Sequence, residues 1–112
     1  MDQPVAFFEI TGPNSETLAA FYSQVFGWHT KPGPFPNYQS VPVDGGAGMA
    51  GGFRQETFAE RVIYIKVPSL HKTLDAAVAA GAKVIIPATR VPGVVYFALF
   101  EDPAGNRTGI IE

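Results

Sequence analysis

Cysteine is absent from the chain, so disulfides, thiolate nucleophiles, zinc ribbons and Cys-x-x-Cys redox motifs are excluded together. Histidine is scarce: only His29 and His71 could give a metal its usual nitrogen donors. Charge is thin as well, with 16% of residues charged and a formal net charge of −2. The eight Lys and Arg residues are scattered and offer no stripe to follow a phosphate backbone, so no nucleic-acid partner is expected. No run approaches the roughly 20 apolar residues of a membrane-spanning helix, and the opening MDQPVAFFEI lacks a basic stretch ahead of a long apolar one. The expectation is a cytoplasmic protein with no membrane partner.

What is present is a repeat. Residues 5–27 (VAFFEITGPNSETLAAFYSQVFG) read as a short apolar strand, a turn and an amphipathic helix closed by glycine, and residues 62–81 (VIYIKVPSLHKTLDAAVAAG) follow the same plan. A shift of about 57 positions lays Val5, Phe7, Phe8 and Ile10 on Val62, Tyr64, Ile65 and Val67, which points to an internal duplication. At 112 residues and 46% hydrophobic, the chain has material for one core but not for two independent domains.

Taken in order, residues 5–11 alternate as a strand, with Val5, Phe7 and Glu9 on one face and Ala6, Phe8 and Ile10 on the other. Gly12-Pro13-Asn14 breaks it, and Asn14 or Ser15 caps a helix with the stripe Leu18, Phe21, Tyr22, Val25 and Phe26, ended by Gly27. Strands are expected at 28–31, 37–43 and 48–54, the last two as a hairpin turning at Asp44-Gly45-Gly46. Gly46, Gly48 and Gly51 have GxGxxG spacing, but no helix opens there and no Lys-Ser or Lys-Thr follows. Glycines that let a strand bend or lie close to a ligand explain them better. The second copy has Ser69 as cap and Leu70, Leu74, Ala77 and Val78 as its inward stripe. Strands follow at 83–86, closed by Pro87, at 94–100 and at 107–112, with a turn at 101–106 (EDPAGN). The order predicts an α+β fold. Two modules, 5–54 and 61–112 of a single domain 1–112, form a curved, mainly antiparallel sheet, with a helix behind each half and a cup-shaped concave face for a small molecule.

Four stretches, FFEI with LAAFYSQVFGW, GMAGGF, YIKV with its helix, and FEDPAGNRTGIIE, together resemble the vicinal oxygen chelate superfamily of glyoxalases, bleomycin-resistance proteins and extradiol dioxygenases. The resemblance implies paired βαβββ modules, usually in a homodimer, around a cup-shaped site. Metal-dependent members place His, Gln or Glu donors on the first and fourth strands of each module. Here those positions fall on Phe7 or Val5, on Val62 or Tyr64, and on Gly109, and residues 48–53 hold no acid or imidazole. Neither histidine has a partner at a spacing that makes a site, so no metal cofactor is expected.

If Phe7 and Gly109 face inward, alternation carries Glu9, Tyr64, Lys66 and Arg107 to the same faces, and these five-fold candidates become Phe7, Glu9, Tyr64, Lys66 and Arg107 as ligand contacts. Glu9 and Lys66 hold matching positions with opposite signs. The plainer reading puts both at strand ends in solvent, as a weak ion pair; the functional one has them orient a ligand over Phe7 and Tyr64. Arg54 and Arg107 could clamp a carboxylate. Trp28, Tyr38 and Tyr96 read as core or interface residues with hydrogen-bonded tips. The leading expectation is a metal-free small-molecule binder. The alternative is a lyase, isomerase or dioxygenase-type enzyme with a divalent metal and Glu9 or Glu101 as base. A third is a scaffold whose cup is filled by its own side chains.

Overall fold

A computed structural model describes residues 2–43 and 48–112. The expected turn at Asp44-Gly45-Gly46, and with it the first glycine of the GxGxxG spacing, lies outside the described residues. The elements are β1 (Val5–Gly12), α1 (Ser15–Phe26), β2 (Lys31–Pro32), β3 (Tyr38–Val41) and β4 (Ala50–Gln55), then β5 (Arg61–Lys66), α2 (Leu70–Ala79), β6 (Lys83–Val91), β7 (Val95–Glu101) and β8 (Arg107–Ile111). The βαβββ order thus occurs twice. Two compact units are formed, one of Phe7–Arg61 and one of Val62–Glu112 with Met1–Ala6. Within them the strands lie in the orders β2-β3-β4-β1 and β6-β7-β8-β5. Neighbours are antiparallel except β1 with β4 and β5 with β8, which are parallel. Among the described residues no helix is long and apolar enough to cross a membrane.

Both helices start on extended residues whose side chains accept from the first free amides. Asn14, rather than Ser15, takes the Thr17 N–H at 3.0 Å, and Ser69 takes that of Lys72 at 3.3 Å. Glu112 adds a second acceptor at α2, its carboxylate 2.9 Å from the Leu70 amide. Gly27 closes α1 at φ 71°, the left-handed conformation only glycine adopts without strain.

The helix α1 faces differ from the sequence pattern. Ala19 is buried and packs with Phe53 and Val41, joined by Leu18, Tyr22, Phe8, Ile10 and Trp28, whereas Phe21, Val25 and Phe26 are 55%, 55% and 61% exposed. Ala19 is the reason: its small side chain lets the helix approach the sheet closely along the Ser15, Leu18, Ala19, Tyr22 line, which turns the bulkier Phe21 and Phe26 outward. In α2, Leu70 and Leu74 face a core with Val67, Ala98 and Ile110 as expected, but Val78 is exposed.

Two strands also depart from expectation. Residues 28–30 are not a strand; Trp28 instead stacks on Tyr22, with ring centres 5.2 Å apart, and β2 is the pair Lys31 and Pro32. Pro32 is tolerated because β2 is the outer strand of its unit. Pro87 does not close β6: the strand runs on to Val91, with register shifts either side of Ile86 that take up the missing amide. The turn after it is built on Gly93 at φ 73°.

The EDPAGN turn forms as expected. Asp102 accepts from the backbone amides of Asn106 and Ala104, both at 2.9 Å. The Asn106 amide, then its side chain, hold the carboxyl below its ordinary value. A depressed carboxyl stabilises the fold above its unfolded value, and that contribution fades as pH falls through the folded one. Asp102→Ala therefore lowers the urea midpoint at neutral pH, and the gap to the parent narrows as the pH is taken below about 4.

Candidate functional site

The strand face away from the helix carries the candidate residues of each module. In the first, the register puts Phe7 beside Ala50, Glu9 beside Gly52, and Thr11 beside Arg54, with Tyr38 next across from Arg54 and Ser40 across from Gly52. Phe7, Glu9, Gly52, Arg54, Tyr38 and Ser40 therefore share one side, while Phe8, Ile10 and Phe53 face α1.

Glu9 is 8% exposed and fully engaged. The Tyr38 hydroxyl donates to its Oε2 at 2.7 Å, and Arg54 donates to its Oε1 at 3.0 Å. Arg54 also lies 3.3 Å from the carboxylate of Glu56 through Nε. The solvent reading of Glu9 is thus overturned. Its strand position is central, and a buried carboxylate requires partners that restore the lost hydration. Arg54, expected as a possible clamp for a ligand carboxylate, holds two protein carboxylates instead.

The Tyr38 ring reaches Glu9 by crossing the α-carbon of Gly52, where any β-carbon would overlap the phenol ring. Gly33 makes room at the other end of the same ring: a β-carbon there would stand 2.6 Å from Tyr38 Cδ1. The third glycine seat is in the second module, where Tyr64 lies opposite Gly109 in the parallel ladder and its ring occupies the space a side chain at 109 would need. Tyr64 is 6% exposed. Beside that row, exposed Lys66 ends β5 next to Ile111, and half-buried Arg107 opens β8 opposite Glu101.

Glu9 lies beside Gly52 in the parallel ladder of the first module and Tyr64 beside Gly109 in that of the second. The ring over Gly52 comes from Tyr38 on β3, whereas the ring over Gly109 comes from its parallel partner on β5.

A divalent metal does not suit these residues. The positions assigned to donors by the family resemblance hold a phenyl group at Phe7, a seated ring at Tyr64 and no side chain at Gly109, and the space at Gly109 is already filled. Among the described residues no three His, Asp or Glu side chains come together. His71 shares a hydrogen bond with the Tyr96 hydroxyl at 2.5 Å, and Arg90 lies over that ring at 4.2 Å. The tip of Tyr96 is hydrogen-bonded as expected.

Sequence reasoning placed Glu9 and Tyr64 correctly on the helix-free faces but did not pair Glu9 with Tyr38 or Arg54. The usable signal was the glycine: an empty position between two strands invites a ring from the next one. Tyr38→Phe removes a charge-assisted bond and is expected to cost about 1.5–3 kcal/mol in urea denaturation. Gly52→Ala pushes the ring off its seat at a cost of about 1–3 kcal/mol. In a Tyr38→Ala background the same Gly52→Ala change becomes nearly silent, which the double-mutant cycle reads as coupling.

In comparison with known proteins, the glyoxalase-like domain family matches residues 8–111. No curated protein matches the chain. Among solved structures, hypothetical protein BH1468 from Bacillus halodurans C-125 is similar with a TM-score of 0.72 and 10% identity, covering 100% of this chain and 95% of its own. The NAD-dependent benzaldehyde dehydrogenase from Legionella pneumophila gives 0.69 at 14% identity, covering 94% and 96%. Methylmalonyl-CoA epimerase from Mycobacterium tuberculosis gives 0.66 at 10% identity, covering 96% and 85%. These likenesses establish the fold.

Proposed function

Because the chain belongs to the glyoxalase-like family of the vicinal oxygen chelate superfamily, we propose that it binds a small molecule in an apolar cup on its helix-free strand faces, without a divalent metal. The observation that carries this reading is Tyr64 seated on Gly109. Where a metal-dependent relative would project a donor, this chain sets an aromatic ring, itself 6% exposed. On the helix-free face of the first unit, half-buried Phe7 gives an aromatic patch with Glu9 as its polar point; on that of the second, Lys66 and Arg107 give polar ends beside Tyr64. A metal-assisted lyase, isomerase or dioxygenase-type reaction is disfavoured, since the phenyl group of Phe7 and the bare α-carbon of Gly109 offer no donor.

The proposal includes a cytoplasmic homodimer with neither nucleic acid nor membrane as partner. The exposed Phe21, Val25 and Phe26 of α1 support an oligomer, because apolar side chains so grouped are ordinarily covered.

Elemental analysis after incubation with zinc, nickel, iron or manganese and gel filtration tests the metal-free reading. Well under one ion per chain is expected, and a stoichiometric ion overturns it. A thermal-shift screen of small aromatic and aliphatic metabolites is expected to yield at least one stabilising compound, with the shift reduced in Lys66→Ala or Arg107→Ala. Light scattering is expected to give the mass of two chains.

A further inference from the structure

We propose that Tyr38 is a gate over Glu9, held shut by Phe35, and that a ligand meets the Glu9 carboxylate only when this ring swings aside. The inference rests on the reading that Glu9 takes part in binding. Glu9 at 8% exposure cannot be a contact in the closed arrangement, and its partner Tyr38, at 7%, is equally enclosed.

The placement of the ring suits a moving part. Tyr38 opens β3, a strand of four residues, whose outer neighbour β2 has two. Short edge ladders open at lower free energy than the middle of a sheet. The chain enters β3 through Asn37 at φ 60°, a left-handed residue other than glycine, and so through a turn that holds some strain. Phe35, in that connection, packs edge-on against the Tyr38 ring, with centres 5.5 Å apart and planes at 78°, and is itself 38% exposed. Neither Gly33 nor Gly52 puts a side chain of its own against the ring, and the side chain beside it at the Gly33 end is the small Ser40.

The chemistry of the open form is consistent with a binding role. Tyr38 holds Oε2 while Arg54 holds Oε1. When the phenol departs, the carboxylate keeps its guanidinium, and the bond Oε2 accepted from Tyr38 can pass to a ligand donor. The closed ring thus stands in for the ligand's own hydroxyl or amine.

Carbodiimide labelling with glycinamide, read residue by residue by mass spectrometry, tests the gate without any ligand. Exposed Glu16 is the reference. In the parent protein Glu9 reacts far more slowly than Glu16. In Phe35→Ala and in Tyr38→Phe its rate is expected to rise about tenfold or more, with almost no dependence on dilute urea, as local opening requires. Two results overturn the gate: an unchanged Glu9 rate in Phe35→Ala, or acceleration that climbs with urea as steeply as global unfolding. Because no ligand enters the measurement, the gate can fail while binding stands, and the ligand screen can fail while the gate stands.

Discussion

A phenol ring lying on a backbone that has no side chain beneath it is the contact on which the helix-free faces depend. Tyr38 over Gly52 and Tyr64 over Gly109 are built from different strands, yet each needs hydrogen where every other residue would place carbon. Steric exclusion of this kind is steep. One added methyl group forces a rigid ring to move as a unit, because two torsions place it and neither relieves an overlap under its plane. Glycine usually weakens a strand; at these two positions it is what allows aromatic surface to be laid flat on the sheet.

The first module adds a charge to that arrangement. A buried carboxylate with an arginine contributes little net stability compared with hydrocarbon of the same shape. The Glu9, Arg54 and Tyr38 group therefore adds little over hydrocarbon of the same shape, yet removing one partner leaves the others buried and unpaired. Its repeat-related partner Lys66 sits exposed at a strand end. The duplication set a charged side chain at matching strand positions in both copies, and their surroundings differ: Glu9 accepts a hydrogen bond from a neighbouring phenol, whereas Lys66 is exposed.

Much of the fold was legible in the sequence. The repeated strand and helix plan, Ser69 and Gly27 as helix boundaries, and the EDPAGN turn each rest on local chemistry, and each appears where local chemistry puts it. What was not legible depends on long-range fit. The facing of α1 is decided by how closely Ala19 allows it to approach Phe53, which a stripe of large apolar residues does not encode. The parallel pairing of β1 with β4, and the partners of Glu9, join residues far apart in the chain, so period-two alternation could give the correct face but not the neighbour. Pro87 misled for a related reason. Whether a missing amide ends a strand depends on whether the ladder can shift around it, and here the pairing with β7 changes register on either side of Ile86.

That same irregularity has a further effect. The outermost strand of a sheet presents a row of unsatisfied amides and carbonyls, and a flat, regular row is a template on which another extended chain can grow. Among the described residues β6 is the longest strand, at nine residues, and carries Val84, Ile85 and Ile86, a composition inviting such growth. Its register shifts on either side of Ile86, so the row is not regular, and Lys83 and Arg90 near its ends add charge. The irregularity that made the strand hard to foresee thereby makes its margin a poor template for a second chain.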